Sequence, residues 1–159
     1  MKFSAQEEYG LRCLMTISKA HGSKGLTIPE IAKIEGLSQP YVGKLLSILR
    51  KEGFVQSTRG QLGGYVLARG PSEIFIADVL AKLGGKLYDE NFCERHTGLE
   101  QNCSHTINCL LLPLWSKVQK AVDQAIEGLT LSDVIESRVH FIGPSQFANL
   151  DKKNLVLTH

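Results

Sequence analysis

Three cysteines, Cys93, Cys103 and Cys109, lie within 17 residues in a chain of 159. Thiolates are soft ligands. In a reducing compartment such a cluster points to metal or redox chemistry before structural disulfides. The gaps of nine and five residues fit neither paired zinc knuckles nor a four-cysteine ferredoxin run. Three thiolates leave a tetrahedral iron or zinc one ligand short. Glu94, His96 and His105 stand in the same stretch and could supply it, as could a residue from elsewhere in the chain or from a partner. Three plain reduced thiols, or a dithiol that senses oxidants, also fit. Cys13 stands apart among Leu11, Leu14 and Met15 and reads as a packed, inert thiol.

A second set of residues suits a polyanion. Gln39, Tyr41, Lys44 and Ser47 share the polar side of a segment capped by Ser38, whose other side carries Val42, Leu45, Leu46 and Leu49. Arg50 and Lys51 add positive charge at its end. Arg59 and Gly60 follow at the tip of a glycine-rich turn. One helix fits a DNA major groove, where polar side chains meet base edges and phosphates. A hairpin tip can place a cation, here Arg59, in the narrow minor groove. Ser38 and the first amides of its helix can hold a phosphate.

The elements that position these residues can be read from caps and periodicity. Residues 3–20 predict a helix opened by Ser4 and Glu7 as a capping box. Thr27 and Glu30 open a second helix, which stops at Gly36. Ser38 opens a third, closed by Gly53. Two strand-like runs, 54–58 and 64–68, form a hairpin. Helix, turn, helix and hairpin is the winged helix-turn-helix order. A fourth helix is expected over 72–84. Residues 86–109 lose periodicity and read as a loop that something must order. Leu111, Trp115, Val118, Val122, Ala125, Ile126 and Leu129 then step by three and four along a long helix over 110–129. A short helix is expected over 131–137. The fold class is mainly α with a small β-hairpin wing. The expected organisation is a DNA-binding domain over 1–70, a linking helix and cysteine loop over 71–110, a dimerisation helix and short last helix over 111–142, and a mobile tail over 143–159.

Composition agrees. Hydrophobic residues make up 43% and charged residues 21%, as in globular chains. The net charge of +2 hides a difference between the halves: +5 over residues 1–70 and −3 over 71–159. A basic first half can face a polyanion. No apolar run approaches the roughly 20 residues of a membrane span, and the first residues lack a signal core, so a cytoplasmic protein is expected. No Walker loop, dinucleotide fingerprint, nucleophile elbow or zinc-protease motif is present, so an enzyme is not expected.

The chain resembles the IscR/NsrR family of iron–sulfur winged-helix regulators. The resemblance rests on the opening MKFSAQEEYGLRCLM, on IPEIAKIEGLSQPYVGKLLSILRKEGFVQSTRGQLGGYVLAR, on the three-cysteine loop and on LPLW at the start of the long helix. It runs over residues 1–137, and the RGxxGGYxLAR wing is its most specific element.

The resemblance implies a homodimer on palindromic promoter DNA, repression more often than activation, and long helices paired between subunits. It implies that Cys93, Cys103 and Cys109 ligate an Fe–S cluster sensing redox state, nitric oxide or Fe–S supply. A carboxylate near the partner's N-terminus completes some such sites; Glu8 stands at that place, with Glu7 a weaker candidate. Two departures matter. The first cysteine gap is longer than in the best-known members. Leu112 stands where an IscR-like histidine would. The second favours a carboxylate-completed cluster, [4Fe–4S] ahead of [2Fe–2S]; the first leaves room for His96 or His105 on iron. A zinc-stabilised or thiol-switching regulator without a cluster is the alternative.

Overall fold

The computed structural model describes residues 3–20, 25–58, 63–97 and 109–136. Helix α1 (Ala5–Lys19) starts where Ser4 and Glu7 satisfy each other: Glu7 N–H donates to Ser4 Oγ at 3.2 Å and Ser4 N–H donates to Glu7 Oε2 at 2.7 Å. Helix α2 (Ile28–Glu35) repeats the device with Thr27 and Glu30, and carries Pro29 in its first turn. It ends at Gly36, whose φ of 67° is the left-handed conformation that glycine adopts without a Cβ clash. Helix α3 is Gln39–Lys51.

Strands β1 (Val55–Ser57) and β2 (Tyr65–Leu67) pair antiparallel, with Gln56 opposite Val66. Both are one residue shorter at each end than expected, although main-chain bonds continue there, Thr58 N–H donating to Gly64 O at 2.8 Å and Ala68 N–H to Phe54 O at 3.0 Å, and the Thr58 hydroxyl closes the hairpin neck. Leu26 adds a bridge to Tyr65 through bonds of 3.0 and 2.7 Å, tying the wing to the start of α2.

The expected fourth helix is divided. Pro71–Glu73 form one 3₁₀ turn, and α4 runs only over Ile76–Leu83. Ile74 and Phe75 between them are extended, because they pair with the chain's return: Leu131 N–H donates to Ile74 O at 2.8 Å and Ile76 N–H donates to Leu129 O at 2.9 Å. The long helix α5 spans Leu112–Ile126 and α6 spans Leu131–Ile135. Leu129, assigned by periodicity to the long helix, lies beyond it and packs half-buried against the core. Gly128 at φ 72° turns the chain there.

One core holds these pieces. Cys13, Leu14, Ile31, Val42, Leu45, Leu46, Leu49, Val55, Ile74, Val79 and Leu131 are all but completely buried. The periodic faces of α1, α3 and α4 meet there. Leu131 arrives from far along the sequence, so α6 belongs to the same core as the hairpin. Helix α5 does not. Most of its surface is open, with Leu114 49% and Trp115 37% exposed, and Leu111 just before it 54%. The expected tail over 143–159, all of the second cysteine gap and residues 98–102 of the first lie outside the described residues.

Candidate nucleic-acid interface and cysteine segment

Helix α3 buries Val42, Leu45, Leu46 and Leu49 and leaves Gln39, Lys44, Ser47 and Arg50 exposed on other sides. Ser38 is exposed at the N-cap position, yet its side chain caps nothing. Ser4, Thr27 and Thr130 each accept from the third residue of their helix. Pro40 removes one donor from the first turn of α3, and the amides of Gln39 and Tyr41 have no partner within the helix. Tyr41 differs from the sequence reading of a purely outward polar residue. It is half-buried, and its ring meets Tyr9 of α1 edge-on at 6.0 Å.

The turn between α2 and α3 is braced from α1. Arg12 Nε donates to Glu35 Oε2 at 2.7 Å, and Arg12 Nη2 donates to the Glu35 carbonyl at 3.1 Å. Thr16 Oγ1 donates to the other carboxylate oxygen. The bond to Glu35 raises the Arg12 pKa above its usual value. A carboxylate at a helix C-terminus opposes the dipole, so this cation offsets an unfavourable charge. Sequence reasoning missed this brace, although Tyr9, Arg12 and Thr16 stand three and four residues apart on one face of α1. The ion pairs among the described residues are Arg12–Glu35, Lys82–Glu52 and Arg95–Asp89; Lys44, Arg50 and Lys51 take part in none of them. Arg59 and Gly60 lie outside the described residues. The hairpin neck at Thr58 and Gly64 fixes where the tip begins.

The cysteine segment leaves α4 at Gly84 and Gly85 and docks on α5. Tyr88 N–H donates to Gln119 Oε1 at 3.1 Å, and Gln119 Nε2 donates to Asp123 at 2.8 Å. Gln119 is the one buried polar side chain among the described residues. Phe92 lies between Tyr88 and Trp115, with ring centres 5.3 and 6.2 Å away. Cys93 then opens a 3₁₀ turn, Glu94–His96, and Arg95 pairs with Asp89 at 3.0 Å. Cys93 and Cys109 are free thiols, both half-buried. Cys103 and His105 lie outside the described residues. Among the described residues no three potential ligands gather around one point. Thiolates are soft ligands of the kind that iron accepts, but the described residues bring only Cys93 and Cys109 of the three cysteines into view and do not gather them with a third ligand.

The candidate carboxylates differ in availability. Glu7 is engaged with the Ser4 amide. Glu8 and Glu94 are exposed. The N-terminus of α1 touches the end of α4: Gln6 Nε2 donates to the Leu83 carbonyl, and Gly10 packs against the Leu83 side chain.

Helix-turn-helix, hairpin wing and a solvent-facing basic α3 define a DNA-binding winged-helix transcriptional regulator. The chain belongs to the Rrf2 family: the family model, described as an iron-dependent transcriptional regulator, matches residues 3–137. It is 31% identical over 134 residues to the transcriptional regulator CymR of Bacillus subtilis, covering 84% of this chain and 89% of that one. It is 26% identical over 139 residues to IscR of Xenorhabdus nematophila, covering 87% and 81%. Among solved structures, IscR of T. potens superposes with a TM-score of 0.66 at 27% identity, covering 92% of this chain and 96% of that chain. The structure of CymR, the global cysteine regulator of B. subtilis, gives 0.63 at 28% identity, covering 86% and 98%. The family and these relatives are regulators, not enzymes. Among the described residues no helix is long and apolar enough to cross a membrane.

Proposed function

We propose that this chain is a cytoplasmic, homodimeric repressor whose operator binding responds to an Fe–S cluster held by Cys93, Cys103 and Cys109. The observation that carries this reading is the docking of the cysteine segment on α5 through Gln119 and Phe92, with Cys93 and Cys109 unpaired. The resemblance to IscR supports a cluster. The resemblance to CymR supports a second reading, a thiol-based regulator without one.

A dimer through α5 fits the open apolar face of this helix. Leu111 just before it and its own Leu114 and Trp115 are exposed and costly to leave in water, and a groove of about 890 Å³ opens between α5, α4 and the start of α1. Phe3, Phe75, Leu87, Val122 and Ile126 line it, and a second copy's α5 is the proposed occupant. Glu8, exposed near the start of α1, is kept as the candidate ligand from a partner subunit.

In DNA binding, Gln39, Lys44 and Arg50 meet the major groove, the open first turn at Ser38 meets a phosphate, and Arg59 and Gly60 reach the minor groove. A bound cluster supplies iron open to redox change and to attack by oxidants or nitric oxide. The chain carries the response. The segment joins α4 at Leu83, where Gln6 of α1 is bonded, and α1 reaches α3 through Tyr9 and Tyr41. Half-sites about 34 Å apart demand a fixed spacing of the two α3 helices, so a small shift in this chain of contacts weakens operator binding.

Anaerobic purification with iron, sulfide and zinc analysis tests the reading, followed by operator footprinting with and without the cluster. Iron with acid-labile sulfide, and a footprint that changes on cluster loss, are expected. One zinc per chain, or metal-free protein that refuses reconstitution, overturns the cluster. Unaltered operator affinity in Arg59→Ala overturns the wing assignment.

A further inference from the structure

We propose that Arg12 is a positioning residue for the DNA-reading helix: it acts on operator recognition through Glu35 and Tyr9, without itself touching DNA. The proposal rests on the DNA-binding reading above and deepens it. Three observations on α1, α2 and α3 carry it.

The first is what one stripe of α1 addresses. Tyr9, Arg12 and Thr16 all face the turn that leads into α3. Arg12 and Thr16 hold the two carboxylate oxygens of Glu35, the last residue of α2. Tyr9 meets Tyr41 in the first turn of α3. The Arg12 guanidinium lies over the Tyr9 ring, 5.4 Å from its centre, and so joins the two holds. Ser38 and Gln39, at the entrance to α3, fall in the chain between these anchored points. The second is the fork. Arg12 Nε donates to the carboxylate while Nη2 donates to the Glu35 carbonyl, one of the acceptors that a helix end leaves open. Two directed bonds from one planar group fix an angle, which a point charge does not. The third is burial. The Glu35 side chain is only 9% exposed, whereas that of Arg12 is 41% exposed. The carboxylate is committed to the brace. The guanidinium stays at the rim, where it contributes direction more than buried area. The exposed Gln39, Lys44, Ser47 and Arg50 of α3 are carried on the turn so fixed. Hydrogen bonds to base edges are directional and tolerate little misplacement, whereas charge attraction to phosphates tolerates more. Operator recognition is therefore the property that the brace controls.

The test uses the full chain and two duplexes, one selected by wild type from random sequence and one of unrelated sequence. Arg12→Met, Glu35→Gln, the double variant and Arg12→Lys are each first shown to be folded by circular dichroism. Arg12→Met should lower affinity for the selected duplex about tenfold and for the unrelated one less than about twofold, with the salt slope unchanged. The double variant should bind no more weakly than Arg12→Met, because both changes break the same link. Arg12→Lys keeps the charge but not the fork, and should not restore selectivity; it carries the comparison if Arg12→Met does not fold. A salt slope reduced by about 1 in Arg12→Met means a direct phosphate contact and overturns the proposal. So do equal losses on both duplexes, additive effects of the two single changes, or full selectivity in Arg12→Lys. All of these leave the DNA-binding reading standing. Failure of wild type to select any duplex overturns both.

Discussion

The Tyr9 and Tyr41 rings meet edge to face, 6.0 Å between centres with planes 87° apart. Through this contact the first turn of α3 leans on α1. The arrangement is favourable for two aromatic quadrupoles. Tyr41→Ala should therefore destabilise the fold by roughly 1–3 kcal/mol, read as a lower urea midpoint at constant m. Tyr41→Phe keeps the ring pair and should remain within about 0.5 kcal/mol of wild type. If Tyr41→Phe also weakens operator binding, the hydroxyl contacts DNA while the ring serves the fold.

Lys44 and Arg50 are exposed and outside every ion pair among the described residues. Replacing either with Ala should weaken operator and random DNA alike. Each should also reduce the slope of log K against log salt by about 1, the signature of one lost phosphate contact. Titrations at several salt concentrations check this. A loss confined to the operator would mean base readout instead.

Burial pushes the Cys13 thiol up to about 11 from an ordinary 9.0. At neutral pH it should be the slow thiol, reacting with an alkylating reagent only after denaturation, whereas Cys93 and Cys109 of the metal-free chain react in the native state. Linkage follows in sign. The folded chain holds this proton more tightly than the unfolded chain. The resulting stability is complete below about pH 9 and lost as pH rises through about 11. Cys13→Ala should flatten that part of the pH–stability curve.

Gly25 sits at φ 68°, and a Cβ there would lie 2.5 Å from the Tyr65 carbonyl oxygen. Gly25→Ala should cost roughly 1–3 kcal/mol and lower Tm. Because the obstacle is backbone at the wing's base, the variant should also bind DNA less tightly than its residual stability alone would allow.

How much was legible depended on the range of the cause. The capping boxes at Ser4 and Thr27, the left-handed stop at Gly36 and the buried stripe of α3 are set within four residues, and all stood in the sequence. The break at Ile74 and Phe75 was not legible, because its cause lies at Leu129–Leu131, more than 50 residues on. Ser38 reads locally as a cap, but the structure leaves its hydroxyl out of the helix start. For the candidate site, residue types and spacing marked the cysteines, His96 and the basic face. They could not give the docking of Tyr88 on Gln119 or the inward lean of Tyr41. Each of these depends on how separate pieces of backbone meet.

The short bridge between Phe75 and Thr130 joins two points where the chain enters and leaves the core. Leu83 is the last buried residue before the excursion and Leu131 the first after it. The described residues between Gly84 and Gly128 thus belong to a handle with both ends fixed to the DNA-binding body. Lengthening a closed loop costs little, about 0.6 kcal/mol for each doubling. Excursions of different length between Leu83 and Leu131 are therefore compatible with the same core. The architecture lets one DNA-reading body carry excursions of different length and chemistry.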